Sequence, residues 1–170
     1  MMGEKLTIVI DSREQTPWAF SADVRTVVSG LPAGDYSLAG FEDEIAIERK
    51  SFDDFLGSIT RGRTRFEAEL RKLRPYRFKA IFVEDAGWDD VLFQRYRAQV
   101  HPNAVFGTIS ALQVKYGLPV IFLPTPEIAA QMAERMLTLF AKYVRRDFER
   151  LVSASEREVE TNAECSAAVE

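Results

Sequence analysis

The residues best able to do chemistry lie in and around the stretch EIAIERKSFDDF, residues 44–55, which is typical of a strand that enters a helix. Side chains alternate along a strand, so Glu48 and Lys50 are expected to project side by side from one face. Asp35 begins the partner strand of a predicted hairpin after a tight turn, and Asp11 ends the first strand. Three carboxylates and a lysine are therefore expected to converge at one edge of a sheet.

Such a group of charges predicts a metal site. Like charges brought together cost free energy unless a cation neutralises them, and Mg²⁺ prefers oxygen ligands while keeping several waters. A lysine beside the metal could position or help deprotonate an attacking water, or stabilise charge that grows on a phosphate. The helix that starts at Ser51 directs its N-terminal N–H groups to the same place, which also suits an anion. For an E-x-K pattern alone, solvated charges at a strand exit would be the commoner explanation.

Hydrophobic periodicity predicts the elements that position these residues. The predicted strands are KLTIVID, DVRTVVS, YSLAG, EIAIERK, FKAIFVE and LPVIFLP. Helices are predicted from Ser51, from a capping box of Thr64 and Glu67 to Pro75, over GWDDVLFQRY, over PNAVFGTISALQVKYG, and from Thr125 to Leu151. Strands come first and then alternate with helices, which predicts an α/β fold with a mixed β-sheet flanked by helices, as in restriction endonucleases.

The charge distribution indicates a nucleic-acid partner although the net charge is −4. Residues 61–79 hold eight basic and two acidic side chains, and a local basic patch on an acidic protein is a directed field. Arg61, Arg63 and Arg65 directly follow the helix at the predicted site, so we expect phosphate contacts from them. A charge run of this kind is otherwise a solvated helix face.

Several function classes are disfavoured by composition. The lone cysteine, Cys165, excludes a disulfide framework within the chain, and the apolar runs are too short to span a bilayer. The start of the chain is not typical of a secretory signal. The sequence therefore predicts a cytoplasmic protein with no membrane partner. His101, the only histidine, precedes Pro102 at a helix start, so we expect a capping role for it rather than a catalytic one.

The motifs DSRE (11–14), LPAGDY (31–36), IERKS (47–51), DFLGSI (54–59) and GR (62–63) occur in this order. Together they resemble the XPF-type nuclease domain, a branch of the PD-(D/E)XK nuclease superfamily, whose pattern is G-D, a variable gap, E-R-K and a nearby aspartate. The resemblance covers roughly residues 6–151. It implies a Mg²⁺- or Mn²⁺-dependent endonuclease that cuts branched or flapped DNA near junctions of single and double strands, in DNA repair or recombination.

The resemblance also implies roles for individual residues. The catalytic set would be Asp35, Glu48, Lys50, Asp11, Arg13 and Glu14. The metal would be held by Asp35, Glu48, the carbonyl of Arg49, and Asp11 directly or through water. Lys50 would be the catalytic lysine, Arg13 would contact the scissile phosphate, and Arg63 of the GR pair would contact the DNA backbone.

The chain is expected to comprise a nuclease domain over residues 1–152 and a polar, disordered tail over 153–170. Relatives usually carry tandem helix-hairpin-helix modules after the nuclease domain, and this chain is expected to lack them, so a separate protein could supply the grip on DNA. The last helix carries two apolar stripes, where burial on one side needs only one. This pattern predicts a homodimer that pairs through the C-terminal helix.

Three alternatives stay open from the sequence. The chain could be a non-catalytic DNA-binding or scaffold subunit of a nuclease complex, although the acids and the lysine are all present. It could be another PD-(D/E)XK nuclease with a different substrate, or an interaction domain whose charges are incidental. The sequence leaves the DNA structure that is cut, the choice between DNA and RNA, and the pathway undetermined.

Overall fold

A computed structural model describes residues 5–167 of the chain, with the side chains of residues 5–155. The strands are β1 (Thr7–Asp11), β2 (Arg25–Ser29), β3 (Tyr36–Leu38), β4 (Ile45–Ser51), β5 (Phe78–Glu84) and β6 (Val120–Leu123). The helices are α1 (Phe52–Ile59), α2 (Arg63–Leu73), α3 (Trp88–Leu92), α4 (Pro102–Tyr116) and α5 (Pro126–Ala167).

The strands form one mixed sheet in the order β2-β1-β3-β4-β5-β6. β3 is antiparallel to both β1 and β4, whereas the β1–β2, β4–β5 and β5–β6 pairs are parallel. The antiparallel β3–β4 hairpin pairs Tyr36 with Ile47, so Asp35, just before β3, lies near Glu48 in the middle of β4. The predicted α/β fold with a mixed sheet and flanking helices is confirmed.

One face of the sheet is covered by α1, α2 and α4. Ala46 of β4 and Ile81 and Val83 of β5 are buried there against apolar side chains at helical spacing. The helical members of this core are Phe52, Phe55, Leu56, Ile59, Phe66, Leu70, Leu73, Val105 and Leu112. Ala46, Glu48 and Lys50 lie on the same face of β4, because every second side chain of a strand does. This core therefore ends at Glu48 and Lys50, here called the charged pair.

The opposite face carries an aromatic cluster. Trp18, from the loop after β1, stacks on Tyr36 with ring centroids 4.1 Å apart and an interplanar angle of 8°, and it packs at 5.9 Å on Phe82 of β5. The Trp18 amide donates a hydrogen bond of 3.0 Å to the Tyr36 hydroxyl. Burial raises the pKa of Tyr36 to about 12. Trp18 is thus a core residue that fastens the loop to the sheet.

The ends of two helices differ from the sequence prediction. The capping box of Thr64 and Glu67 was wrong, because α2 begins at Arg63 with Gly62 as its N-cap and no side-chain cap bond. Glu67 instead lies 3.3 Å from Arg63, one turn earlier on the helix. α3 is shorter than predicted and ends at Leu92. In the rest of the fold, Ser51 caps α1 and Gly117 ends α4 in the left-handed conformation, as predicted.

The helix α5 continues to Ala167, so it includes most of the segment 153–170 that the sequence assigned to a tail. The chain divides into two compact units, Met1–Leu137 and Thr138–Glu170. The predicted division into a nuclease domain and a disordered tail stays a prediction. Cys165 lies where no side chains are described. Among the described residues, no helix combines the length and the hydropathy that a membrane crossing requires.

Candidate active site

The turn before β3 places the first acid. Gly34 has a φ of +75°, and a Cβ atom there would lie 2.9 Å from the Cβ of Ala46 and 3.2 Å from the carbonyl oxygen of Ile47. The backbone of Asp35 is held on both sides: its N–H donates 2.9 Å to Ile47, and its carbonyl accepts 2.8 Å from the N–H of Asp11. Glycine is required because the turn must approach β4 closely in a left-handed conformation.

Asp35 and Glu48 are brought together in a cleft of about 280 Å³, here called the acid cleft. Burial and the negative charge of Glu48 raise the pKa of Asp35 to about 7, against a partial opposing effect of the Arg49 amide. That amide donates a 2.7 Å hydrogen bond to Asp35 Oδ2. A buried carboxyl beside a second carboxylate is a site where a cation would replace the proton.

Lys50 lies beside these acids, as the alternation along β4 predicts. Its Nζ is 2.9 Å from Glu48 Oε1 and 5.5 Å from the centre of the Phe66 ring. The Lys50 side chain is 13% exposed. It is therefore held in one position, with its ammonium group next to the acid pair.

The carboxylate of Asp11 is hydrogen-bonded to Arg13 and Leu31. It is 1% exposed and accepts 2.6 Å from Arg13 Nε, 3.0 Å from Arg13 Nη2, 2.9 Å from the Arg13 amide and 2.7 Å from the Leu31 amide. The side-chain hydrogen bonds from Arg13 are the main reason that the pKa of Asp11 falls to about 2. Asp11 thereby orients Arg13, whose side chain stays 71% exposed and lines the acid cleft.

The structure does not bring three carboxylates to one point. Within the part of the chain that it describes, no group of three or more His, Cys, Asp or Glu side chains is placed to hold a metal ion. Asp35 and Glu48 form a pair, and Asp11 is engaged with Arg13 and Leu31. Mg²⁺ is commonly held by one or two carboxylates with substrate phosphate and water, so the pair has suitable donors. The predicted position of Asp11 near a metal stays a prediction.

Arg49 points to the opposite face of β4. Its guanidinium pairs with Glu84 at 2.8 Å and Glu14 at 3.4 Å, donates to the carbonyl of Thr16, and lies 5.4 Å from the centre of the Trp18 ring. Trp18 Nε1 also donates to Glu84. The network raises the pKa of Arg49 against the cost of its burial, so the side chain stays charged. It anchors the loop that carries Glu14.

A second and larger cavity of about 730 Å³, here called the basic groove, opens on the other side of the charged pair. Its lining holds four cations, Arg49, Lys50, Arg61 and Arg65, and four acids, Glu14, Asp53, Asp54 and Glu84. The name refers to Arg61 and Arg65, which line the cavity from the α1–α2 region. The start of α1 also faces this groove, but Ser51 Oγ already accepts from the Asp54 amide at 3.1 Å. The helix end is thus partly satisfied by its own cap.

Arg63 does not join this groove. It pairs with Glu67 and lines a small pocket between α2 and α4. Of the three arginines predicted to contact DNA, two therefore lie beside the charged pair and one lies elsewhere. The roles of all three stay predictions.

The sequence reading missed Glu84 and Lys72. Glu84 ends β5 opposite Ser51 and is 4% exposed. An acid at the end of a buried strand that runs parallel to ERK was a usable signal for it. Lys72 was read only as part of a basic run, because the sequence does not say which face of α2 looks toward the acids.

Comparisons with known proteins find a matching family model and similar solved structures. The ERCC4 domain profile matches residues 10–136. A structure of XPF from Aeropyrum pernix is similar with a TM-score of 0.63 and 27% identity, covering 78% of this chain and 60% of that chain. A structure of XPF from the same organism in complex with DNA gives a TM-score of 0.65 at 27% identity, covering 81% of this chain and 66% of that chain.

One curated relative is a protein of Methanocaldococcus jannaschii named "Putative ATP-dependent RNA helicase". It is 26% identical over 128 residues, which are 75% of this chain and 15% of that protein. The chain therefore spans only a small part of this relative and about 60% of the first XPF chain.

Proposed function

The chain belongs to the ERCC4 domain family of XPF-type nucleases, as the sequence resemblance predicted, and on that premise we propose that it is a divalent-metal-dependent DNA endonuclease. The observation that carries the proposal is the acid cleft, where Asp35 and Glu48 lie together with Lys50 bonded to Glu48. Buried acids of this kind, paired with a lysine, are costly for stability and are typical of a functional site.

Asp35 and Glu48 would hold Mg²⁺ or Mn²⁺, and the carbonyl of Arg49 would add a ligand. Both side chains offer hard oxygen donors, and burial together with the negative charge of Glu48 raises the pKa of Asp35, so that a cation bound between the two acids would be favoured. A bound ion would activate the water that attacks phosphorus and would stabilise charge on the phosphate. Asp11 would act on this site by positioning Arg13.

The remaining groups act on the substrate. Lys50 orients the attacking water and stabilises negative charge as it forms, because its ammonium is fixed by Glu48 and Phe66. Arg13 holds the scissile phosphate, since Asp11 fixes one edge of its guanidinium while its side chain stays exposed. Glu14, held near Arg49, completes the wall of the basic groove.

Arg61 and Arg65 bind the DNA backbone along the basic groove. Such contacts give affinity without reading sequence, which suits an enzyme that selects DNA by shape. Branched or flapped DNA, with a junction of single and double strands, is therefore the proposed substrate. Arg63 would contact DNA only from the far side of α2.

A homodimer is proposed from α5. Exposed apolar side chains recur along its described part, and exposed apolar patches commonly mark an interface. In the unit that begins at Thr138 they are Leu139, Tyr143, Phe148, Leu151 and Val152. Two copies of this chain would cover them.

The test is cleavage of end-labelled flap, fork, Holliday-junction and plain duplex DNA, with RNA counterparts, in Mg²⁺ or Mn²⁺. Wild type is compared with Asp35→Ala and Lys50→Ala, and with Asp43→Ala, which removes an exposed acid from the β3–β4 turn. We expect metal-dependent cutting of branched DNA that is lost in the first two variants and kept in the third.

Other outcomes would point elsewhere. DNA binding with no cutting on any substrate, from folded protein with bound metal, would favour a scaffold subunit of a nuclease complex. Equal cutting of all substrates would favour a PD-(D/E)XK nuclease without structure selectivity. Cutting that survives Asp35→Ala would refute the assigned site.

A further inference from the structure

We propose that Lys72 binds a DNA phosphate in the acid cleft, next to the scissile phosphate that Arg13 holds, so that the cut strand crosses the charged pair from the basic groove into this cleft. The inference rests on the proposed nuclease function and adds to it a second phosphate site and a direction for the strand.

The acid cleft and the basic groove adjoin at β4. Lys50 lines the basic groove, whereas Glu48, two residues earlier on the same face, lines the acid cleft. The two cavities therefore adjoin at the Glu48–Lys50 pair, whose charged atoms are 2.9 Å apart. A strand with a phosphate at the acids could therefore continue from one cavity into the other.

One side of α2 lines both cavities. Arg65, Glu69 and Lys72 stand at positions i, i+4 and i+7, which share one side of a helix. Arg65 lines the basic groove, and Glu69 and Lys72 line the acid cleft. With a rise of about 1.5 Å per residue, Arg65 and Lys72 are separated by roughly 10 Å along the helix axis. One helix face thus supplies a cation to each cavity.

The charges that line the acid cleft make phosphate binding there depend on a metal ion. The acid cleft is lined by the acids Asp35, Glu48 and Glu69 and by the cations Arg13 and Lys72, and Glu69 also lies 3.8 Å from Arg65. Without metal, the carboxylates repel a phosphate. With a divalent ion at Asp35 and Glu48, the local balance becomes positive, and Lys72 can bind the phosphate next to the one that Arg13 holds. Binding at this second site is therefore linked to the metal.

A structural explanation for Lys72 has to be separated from this role. Cations in the last turn stabilise a helix through its dipole, and Arg71 and Lys72 are the basic residues of the last turn of α2. Arg71 is also exposed but lines neither cavity. Arg71→Ala is therefore the matched control, with the same helix, turn and charge but no access to the acid cleft.

The experiment measures binding of junction DNA by the full chain in a Lys50→Ala background with Mg²⁺, over a series of salt concentrations. We expect Lys72→Ala to weaken binding by about tenfold and to lower the slope of log K against log[salt] by roughly 0.7–0.9, the value for one phosphate contact. Lys72→Arg should restore both. Arg71→Ala should leave both at the background values, and thermal melting should be alike for the two alanine variants.

A second measurement fixes the direction of the strand. Single methylphosphonate linkages, which carry no charge, are placed on either side of the cleavage position. Lys72→Ala should abolish the loss of DNA binding that a neutral linkage causes on one side of the cleavage position. Arg65→Ala should abolish the loss that a neutral linkage causes on the other side. A structural role for Lys72 would not produce this pattern.

If Lys72→Ala matches Arg71→Ala while the wild type cuts DNA, the inference is overturned and the proposed function stands. The same holds if Lys72→Ala and Arg65→Ala respond to the same linkage. A folded wild type that neither binds nor cuts nucleic acid would overturn the proposed function, and this inference with it.

Discussion

The Nζ of Lys50 lies 2.9 Å from Oε1 of Glu48, two residues away on the same face of β4. Both side chains are mostly buried, with 13% and 18% exposed. Strand alternation alone brings an acid and a cation to one place here, because no loop intervenes between them. The acid can serve a metal and the lysine a water only if this strand holds both, so the pair is the natural target for the first substitution.

Replacing Lys50 with alanine should lower the rate of the cutting step by about 100-fold or more, the usual contribution of a positioned proton-transfer group. DNA binding and the fold should be kept, because Lys50 lies at the rim of the core. Single-turnover cleavage with labelled fork DNA measures the rate. Lys115→Ala, at the far end of α4, is the control and should cut as fast as wild type. A Lys50→Ala protein that cuts at the wild-type rate would remove Lys50 from the mechanism.

The metal-free protein should become less stable as pH rises from about 4 to about 7. The pKa of Asp35 is about 7 in the fold and 3.8 as the reference. In this window the native state keeps a proton that the unfolded chain has released, so raising the pH favours unfolding. Thermal melting in EDTA at a series of pH values measures the effect, and Asp35→Asn should flatten it.

Adding Mg²⁺ or Mn²⁺ should reverse this loss at pH 7.5. An ion at 100 times its Kd adds about 2.7 kcal/mol to the free energy of unfolding. For a chain of this size, each kcal/mol raises Tm by about 2–4 °C. Asp35→Asn and Glu48→Gln should respond much less than wild type, whereas Asp43→Ala should respond fully. An equal rise in all four proteins would place the ion elsewhere.

Gly34→Ala should destabilise the fold by about 1–3 kcal/mol, because a left-handed φ is costly for a residue with a Cβ. The new Cβ would also lie 2.9 Å from that of Ala46. Gly107→Ala is an informative control: this glycine lies inside α4 with open space around it, so alanine there should stabilise by about 0.5–1 kcal/mol. Urea denaturation of both variants gives the comparison, and a neutral Gly34→Ala would show that the turn can move away from β4.

Arg49→Ala should lower the free energy of unfolding by about 3–5 kcal/mol, because it leaves the Glu84 carboxylate buried without its cation. Glu84 is 4% exposed. The double replacement Arg49→Met with Glu84→Leu should lose less, since the Glu84 charge is removed together with its cation and only Glu14, whose side chain is 14% exposed, loses a partner. Urea denaturation of Arg49→Met, Glu84→Leu and the double variant measures the coupling. Simple additivity of the single losses would mean that the pair contributes nothing as a pair.

The proposed dimer predicts that the protein runs at twice the chain mass in light scattering at micromolar concentration. Phe148→Glu should give the monomer mass, because Phe148 is 65% exposed among other apolar residues of α5. Val114→Glu changes an even more exposed residue, on α4, and should leave the mass at that of the dimer. A wild type that is monomeric under these conditions would exclude the interface.

Much of the fold follows from local patterns. The six strands, the two hairpin acids and the Ser51 cap were predictable because alternation and capping depend on residues close in the chain. Glu48 and Lys50 share a face for the same reason. The predicted N-terminus of α2 was wrong because Thr64 and Glu67 match a capping pattern that the helix does not use. Close chain contacts around Gly62 decide where the helix begins.

Contacts between distant segments were not predictable. The hydrogen bonds of the Asp11 carboxylate to the Leu31 amide and to Arg13 were not predicted. Arg49 reaches Glu84, 35 residues later, and only the parallel pairing of β4 with β5 shows that they meet. Whether Arg63 or Arg65 faces the basic groove depends on the rotation of α2, which the apolar stripe fixes only approximately.

The β3–β4 hairpin separates chain length from chemistry. Asp35 and Glu48 lie at one end of this hairpin, and the turn at residues 39–44 lies at the other end, where Gly40 has open space around it. Inserted residues there would lengthen a surface turn and leave the acids where they are. A single residue inserted within β4 would instead exchange its two faces and turn Arg49 toward the acid cleft. The hairpin thus tolerates growth between the two acids but not within the strand that carries the second one.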